Sequence, residues 1–199
     1  MRQILADCIA RKKPITTEIL LQLFRLFSFD NHLHVCMPAL FLVAFFLVSR
    51  ISNLVPYELS DLSDLQPCVL MLSSVLFTAQ GGLLRITCIK TLQLRERVLE
   101  IPLPLILGSP LCPVAAIRQY LYSVKLPRHS PLYVCRSQGT YKRILAHQYN
   151  EFIKTSLANI GLNPGNFSSH SFCRGGASFA FCNRAPTASI QWHGDWKVE

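Results

Sequence analysis

Residues 167–181 read FSSHSFCRGGASFAF, and the folding of this stretch governs the reading of the whole chain. Ser168 and Ser169 are short side chains whose oxygens accept from the free N–H groups of a first helical turn, so a helix is expected to open near His170. On that helix His170 and Cys173 stand three residues apart and share a face. Arg174, one residue further on, is turned by about 100° and points away from it.

Toward the amino end, His147 to Ile160 is an amphipathic helix stopped by Gly161, and Pro131 to Cys135 is a short extended piece. Pro113 opens another helix, PVAAIRQYLYSV. Between Val69 and Pro104 the pattern changes to three extended runs, VLMLSSVLFTAQGG, LLRITCIK and RVLEIPLP. Gly81-Gly82 and the polar residues Gln93 to Glu96 separate them, which predicts a small antiparallel sheet. Before the sheet, residues 35–49 read VCMPALFLVAFFLVS. This run falls short of the about 20 apolar residues of a membrane span. It is interrupted by Pro38, entered past His32 and His34, and closed by Arg50, so it reads as a buried core helix, apolar all round. Pro38 is expected to open it, and the helix to carry through Arg50 to about Leu54. Thr16 or Thr17 caps a first amphipathic helix running to about Phe27. Residues 1–15 read as the remnant of a linker, and residues 16–199 as one domain.

A chain of 199 residues with half of them hydrophobic can bury a single core without staples. Its 20 Lys and Arg against 11 Asp and Glu give a net charge of +9, which favours a polyanionic partner because neutralised phosphates release counterions. The eight cysteines form no CxxC pair and no zinc-finger spacing with histidine, so neither a metal site nor a disulfide framework is expected. No signal peptide precedes them. Together these features point to a reduced intracellular setting, nuclear or cytoplasmic, with no membrane span.

Four segments in order, FLVSRISNLVP (46–56), IKTLQLRERVLEIPLP (89–104), SPLCPVAAIRQYL (109–121) and FSSHSFCRGGASFAF followed by IQWHGDWK (167–197), resemble the tyrosine recombinases. The likeness is closer to the recombinase-like domains of DIRS-type and Crypton-type mobile elements. It implies an α+β catalytic domain, mostly helical, with a small antiparallel three-stranded sheet. It also implies a duplex DNA partner, the self-association typical of such recombinases, and no cofactor or small-molecule substrate. In the family a tyrosine attacks a phosphodiester to form a covalent intermediate, so strands are broken and rejoined without a metal. Two arginines clamp the non-bridging oxygens, because guanidinium forks match phosphate geometry and stay charged.

By this resemblance Arg50 is the first arginine, Lys90 the proton donor to the leaving oxygen, and His170 the opening of the HxxR box. Trp196 stands at the late histidine-or-tryptophan position, with His193 the competing candidate. Arg95, Arg97 and Arg174 are candidate contacts to flanking DNA. Asn53 replaces an acid that supports the first arginine in many members. Position 173, where the second arginine belongs, is cysteine, and Arg174 cannot substitute from the other face of the helix. The attacking tyrosine is expected about one helix beyond Trp196, whereas Tyr57, Tyr120, Tyr122, Tyr133, Tyr141 and Tyr149 all precede the box. The chain therefore reads as truncated before the nucleophile helix, without the helical clamp domain that precedes this one in relatives, and as unable to cut DNA. The missing clamp arginine alone implies a loss on the order of 3 kcal/mol in the transition state. The rival readings are a domesticated DNA-binding or protein-interaction module, and a small membrane protein built on residues 35–49.

Overall fold

The computed structural model describes residues 12–28, 30–57, 70–86 and 98–194. Its centre is helix α2 (His32–Phe46), whose residues from Val35 to Phe45, Pro38 excepted, are buried. Such a helix needs neighbours on every side. Helix α3 (Pro113–Ser123), helix α5 (His170–Cys182) and strand β4 (Val134–Ser137) pack around it. Helices α1 (Thr17–Phe24), α4 (Ala146–Asn159) and α6 (Thr187–Gly194) complete the helical part. Phe27, just after α1, joins Phe41 of α2, Tyr149 and Phe152 of α4 and Phe172 of α5 in a cluster of stacked, tilted and edge-on rings. Among the described residues no helix is long and apolar enough to cross a membrane.

Strands β1 (Val75–Thr78), β2 (Gly81–Ile86) and β3 (Leu99–Pro104) form an antiparallel sheet in that order, with Leu84 opposite both Val75 and Ile101. In β3, Leu99, Ile101 and Leu103 turn inward while Glu100, Pro102 and Pro104 face out, the period-2 pattern of a half-buried strand. Glu100 accepts from Arg85 Nε at 2.6 Å across the outer face. Both side chains are half exposed, so this pair is worth under about 1 kcal/mol. The α+β class and the three-stranded sheet read from the sequence are those found.

Three boundaries differ from the sequence reading. Pro38 lies inside α2 and does not open it, because Asn31 caps the helix about two turns earlier, its side chain accepting from Leu33 N at 2.9 Å. The absent Pro38 N–H removes one helical bond at a cost of about 3 kcal/mol, offset by the apolar surface buried on both sides of it. The helix stops at Phe46, well before Leu54; Arg50 follows four residues later, opening a 3₁₀ turn over Ile51–Asn53. Gly81 and Gly82 are the first residues of β2, the turn itself being Ala79–Gln80. Beyond the extended piece at 131–135 the structure adds a hairpin, β4 with β5 (Thr140–Arg143), closed by Gln138 (φ 50°) and Gly139 (φ 80°). Two consecutive positive φ values are those of a type I′ turn.

Candidate nucleic-acid interface

Arg50 owes its position to the way α2 ends. Leu47 caps the helix, Val48 N–H donates to Phe45 O and Ser49 N–H to Ala44 O, which together make a Schellman motif. The residue in its left-handed position is Val48, at φ 52°. A β-branched residue there is strained by roughly 1–2 kcal/mol. Ser49, buried, accepts from Asn53 Nδ2 at 3.3 Å, and Arg50 O accepts from Asn53 N–H at 2.9 Å. Asn53 thus knits the loop around Arg50, whose own side chain is exposed.

Helix α5 faces this loop. It opens at His170, as the serines suggested, although Ser169 makes no side-chain cap bond; Ser171 Oγ instead accepts from Ser168 N–H at 3.0 Å. His170 is exposed in the first turn, and Cys173, one turn on, is buried. The Cys173 thiol donates to Val48 O at 2.9 Å, a contact between residues 125 apart in the chain. Burial pushes this thiol up to about 11, against the smaller opposing pull of the Arg50 guanidinium. The thiol is therefore neutral near pH 7. The geometry brings Arg50 and Cys173 together, and His170 opens the same helix one turn before Cys173.

Arg174 turns away from that corner. One of its guanidinium N–H groups donates to Lys12 O, while Lys12 Nζ donates to Gly165 O at 2.6 Å and Ile15 N–H to Ser171 O at 2.9 Å. The segment from Lys12 to Ile15 is thereby strapped along the start of α5, and Arg174 is one of its buckles. His193, the competitor of Trp196, stands on α6 with Nδ1 2.9 Å from Ser189 O. Lys90, Arg95, Arg97 and Trp196 lie outside the described residues. So does the turn that carries Lys90. Tyr120, Tyr133 and Tyr149 are buried core residues.

Two site-building residues were missed in the sequence reading. Cβ atoms added at Gly175 and Gly176 would collide with the carbonyl oxygens of Ile15 and Phe45 respectively. The absence of side chains at both lets α5 approach the strap and the end of α2 closely enough for Cys173 to reach Val48. Paired glycines inside a helix each cost about 1 kcal/mol relative to alanine, and that cost was the available signal.

No family model and no curated protein matches the sequence. Solved structures do match. The XerH site-specific recombinase bound to its difH substrate, in a pre-cleavage complex, superposes with a TM-score of 0.63 at 10% identity over 94% of this chain and 48% of its own. The FLP recombinase–Holliday junction complex gives 0.56 at 19% identity over 92% and 43%. A Flpe–Holliday junction complex gives 0.58 at 17% identity over 90% and 43%. This chain thus has the fold of part of these recombinases and spans less than half of their length.

Proposed function

We propose that this chain is a tyrosine-recombinase-type domain that binds duplex DNA through its phosphates, centred on Arg50, and leaves the strands uncut. The observation that carries the reading is the exposed Arg50, projecting from a strained turn that Cys173 of α5 holds by its thiol. It occurs in a fold shared with recombinases whose structures hold a difH substrate or a Holliday junction. A net charge of +9 supplies the long-range attraction. Lys90, Arg95, Arg97 and Trp196 extend the surface by motif resemblance, and self-association on DNA accompanies it. The domain is taken to run from residue 16, with the segment Lys12 to Ile15 packed onto it and Ile15 buried in its core. The reading calls for no metal or cofactor.

The failure to cut rests on Cys173, a buried neutral thiol where a second guanidinium would stabilise charge on the phosphate. The box sequence HSFCRGGA further supports an origin in a DIRS-type or Crypton-type mobile element and work in the nucleus. The second reading, a domesticated module kept for its surface, is favoured by how well Cys173 is accommodated. Restoring arginine in Cys173→Arg and appending a tyrosine-bearing helix separates the two: a covalent adduct on a nicked duplex supports the mobile-element recombinase, and its absence supports the module.

The test of DNA binding is the salt dependence of affinity for a short duplex, with the chain compared with Arg50→Ala. Loss of one phosphate contact lowers the slope of log K against log salt by about 1. Equal slopes, or no duplex binding at low ionic strength, overturn the reading.

A further inference from the structure

We infer that Cys173 is a positioning residue for Arg50, its thiol latching helix α5 onto the turn from which Arg50 projects. The inference rests on the phosphate-binding reading of Arg50. Val48 holds a left-handed φ of 52°, and such a conformation persists in a β-branched residue only where its surroundings over-determine it. Its N–H is held by Phe45 O, and the next N–H by Ala44 O. That leaves the Val48 carbonyl, which accepts from Cys173 Sγ at 2.9 Å. Rotation of the Val48–Ser49 peptide would swing that oxygen away and re-aim Arg50 two residues on. Among the described residues the latch is the long-range tie on that peptide, since the other bonds of the turn come from residues 44–53. Cys173 is itself buried and so does not reach a phosphate. Its high thiol pKa keeps the donor proton in place across neutral pH.

The experiment compares the full chain with Cys173→Ala, Cys173→Ser, Arg50→Ala and the double variant Arg50→Ala with Cys173→Ala. Affinity is read by anisotropy of a labelled short duplex, and amide exchange is followed at Val48 and Ser49. Cys173→Ala is expected to weaken binding about threefold to fivefold, as for one lost hydrogen bond. Cys173→Ser, which keeps a donor, restores binding. In the Arg50→Ala background, removing the thiol changes nothing further. Exchange at Ser49 quickens in Cys173→Ala while amides of α4 stay as protected as before.

The inference is overturned if Arg50→Ala weakens binding and Cys173→Ala does not. An equal loss from Cys173→Ala with and without Arg50 also overturns it, for that marks a general loss of stability. If Arg50→Ala leaves affinity unchanged, the phosphate reading falls and the inference with it, while unaltered exchange at Val48 and Ser49 refutes the latch whatever the DNA does.

Discussion

Helices α2, α4 and α5 all end in the same Schellman geometry, but only α4 places glycine, Gly161 at φ 78°, in the left-handed position. Val48 and Arg184 fill the other two, at φ 52° and 63°. The two differ in what they touch. Val48 is buried and bonded to Cys173, whereas Arg184 is exposed and, among the described residues, engaged through its backbone N–H, which donates to Phe181 O at 3.0 Å. Arg184→Gly therefore removes Cβ strain without removing a packed side chain. The added freedom of the unfolded chain offsets part of the gain, leaving a net stabilisation of about 0.5–1 kcal/mol. In a chain of this size that raises Tm by about 1–4 °C in a thermal melt followed by circular dichroism. A fall in Tm would show that the Arg184 side chain holds something the bond pattern does not record. Sequence alone marks Gly161 as a helix end, because glycine there has a local reason. It cannot mark Val48, whose conformation comes from a carbonyl partner 125 residues away.

At the level of elements, what was legible had local chemistry behind it. Thr16 caps α1, Pro113 opens α3, Gly161 ends α4, and the alternation of β3 sets its register. What was not legible depended on tertiary contacts. Pro38 sits within α2 because packing on every side outweighs one missing helical bond, and the β4–β5 hairpin hides behind Gln138, where asparagine or aspartate would have announced the turn. The contact of α5 with α2 is the clearest case, since the glycines that permit it look like helix breakers when read alone. Gly176→Ala puts a methyl group into the carbonyl oxygen of Phe45, which is backbone and cannot yield as a flexible side chain would. Overpacking of that kind costs about 3 kcal/mol, well above the roughly 1 kcal/mol of helix propensity that alanine returns. Urea denaturation should show a clear drop in midpoint, while Ser178→Ala on the exposed side of α5 moves stability by less than about 0.5 kcal/mol. An unchanged midpoint for Gly176→Ala would mean the two helices do not meet as described.

Across the whole molecule the core carries an unusual load of acidic protons. The thiols of Cys36 and Cys173 and the phenols of Tyr120, Tyr133 and Tyr149 are all buried, and burial is the first cause that raises each of them above its ordinary value. Among the described residues the Tyr133 and Tyr149 hydroxyls find no hydrogen-bond partner, while Tyr120 donates to Val134 O at 3.1 Å and accepts from Val134 N–H at 2.8 Å. This feature was only half visible in the sequence. Cys36 could be read as buried from its apolar run, but the tyrosines come from α3, α4 and the approach to β4, and only the fold gathers them. The consequence is a strong alkaline limit on stability. Above the ordinary thiol value of about 8.5 the unfolded chain loses protons that the folded chain keeps, so the native state binds more protons and its stability falls as pH rises. Each such group removes about 1.4 kcal/mol per pH unit. The two thiols act first, Cys173 until its own value of about 11 is passed, and the three phenols join above about pH 10. Against a total stability of about 5–15 kcal/mol, cooperative unfolding is expected at roughly pH 10–12. A pH titration followed by circular dichroism and tyrosinate absorbance should show the buried phenols ionising together with loss of helix, in one step. Gradual ionisation of every tyrosine near its ordinary value with the helical signal intact would mean that the core is open to solvent.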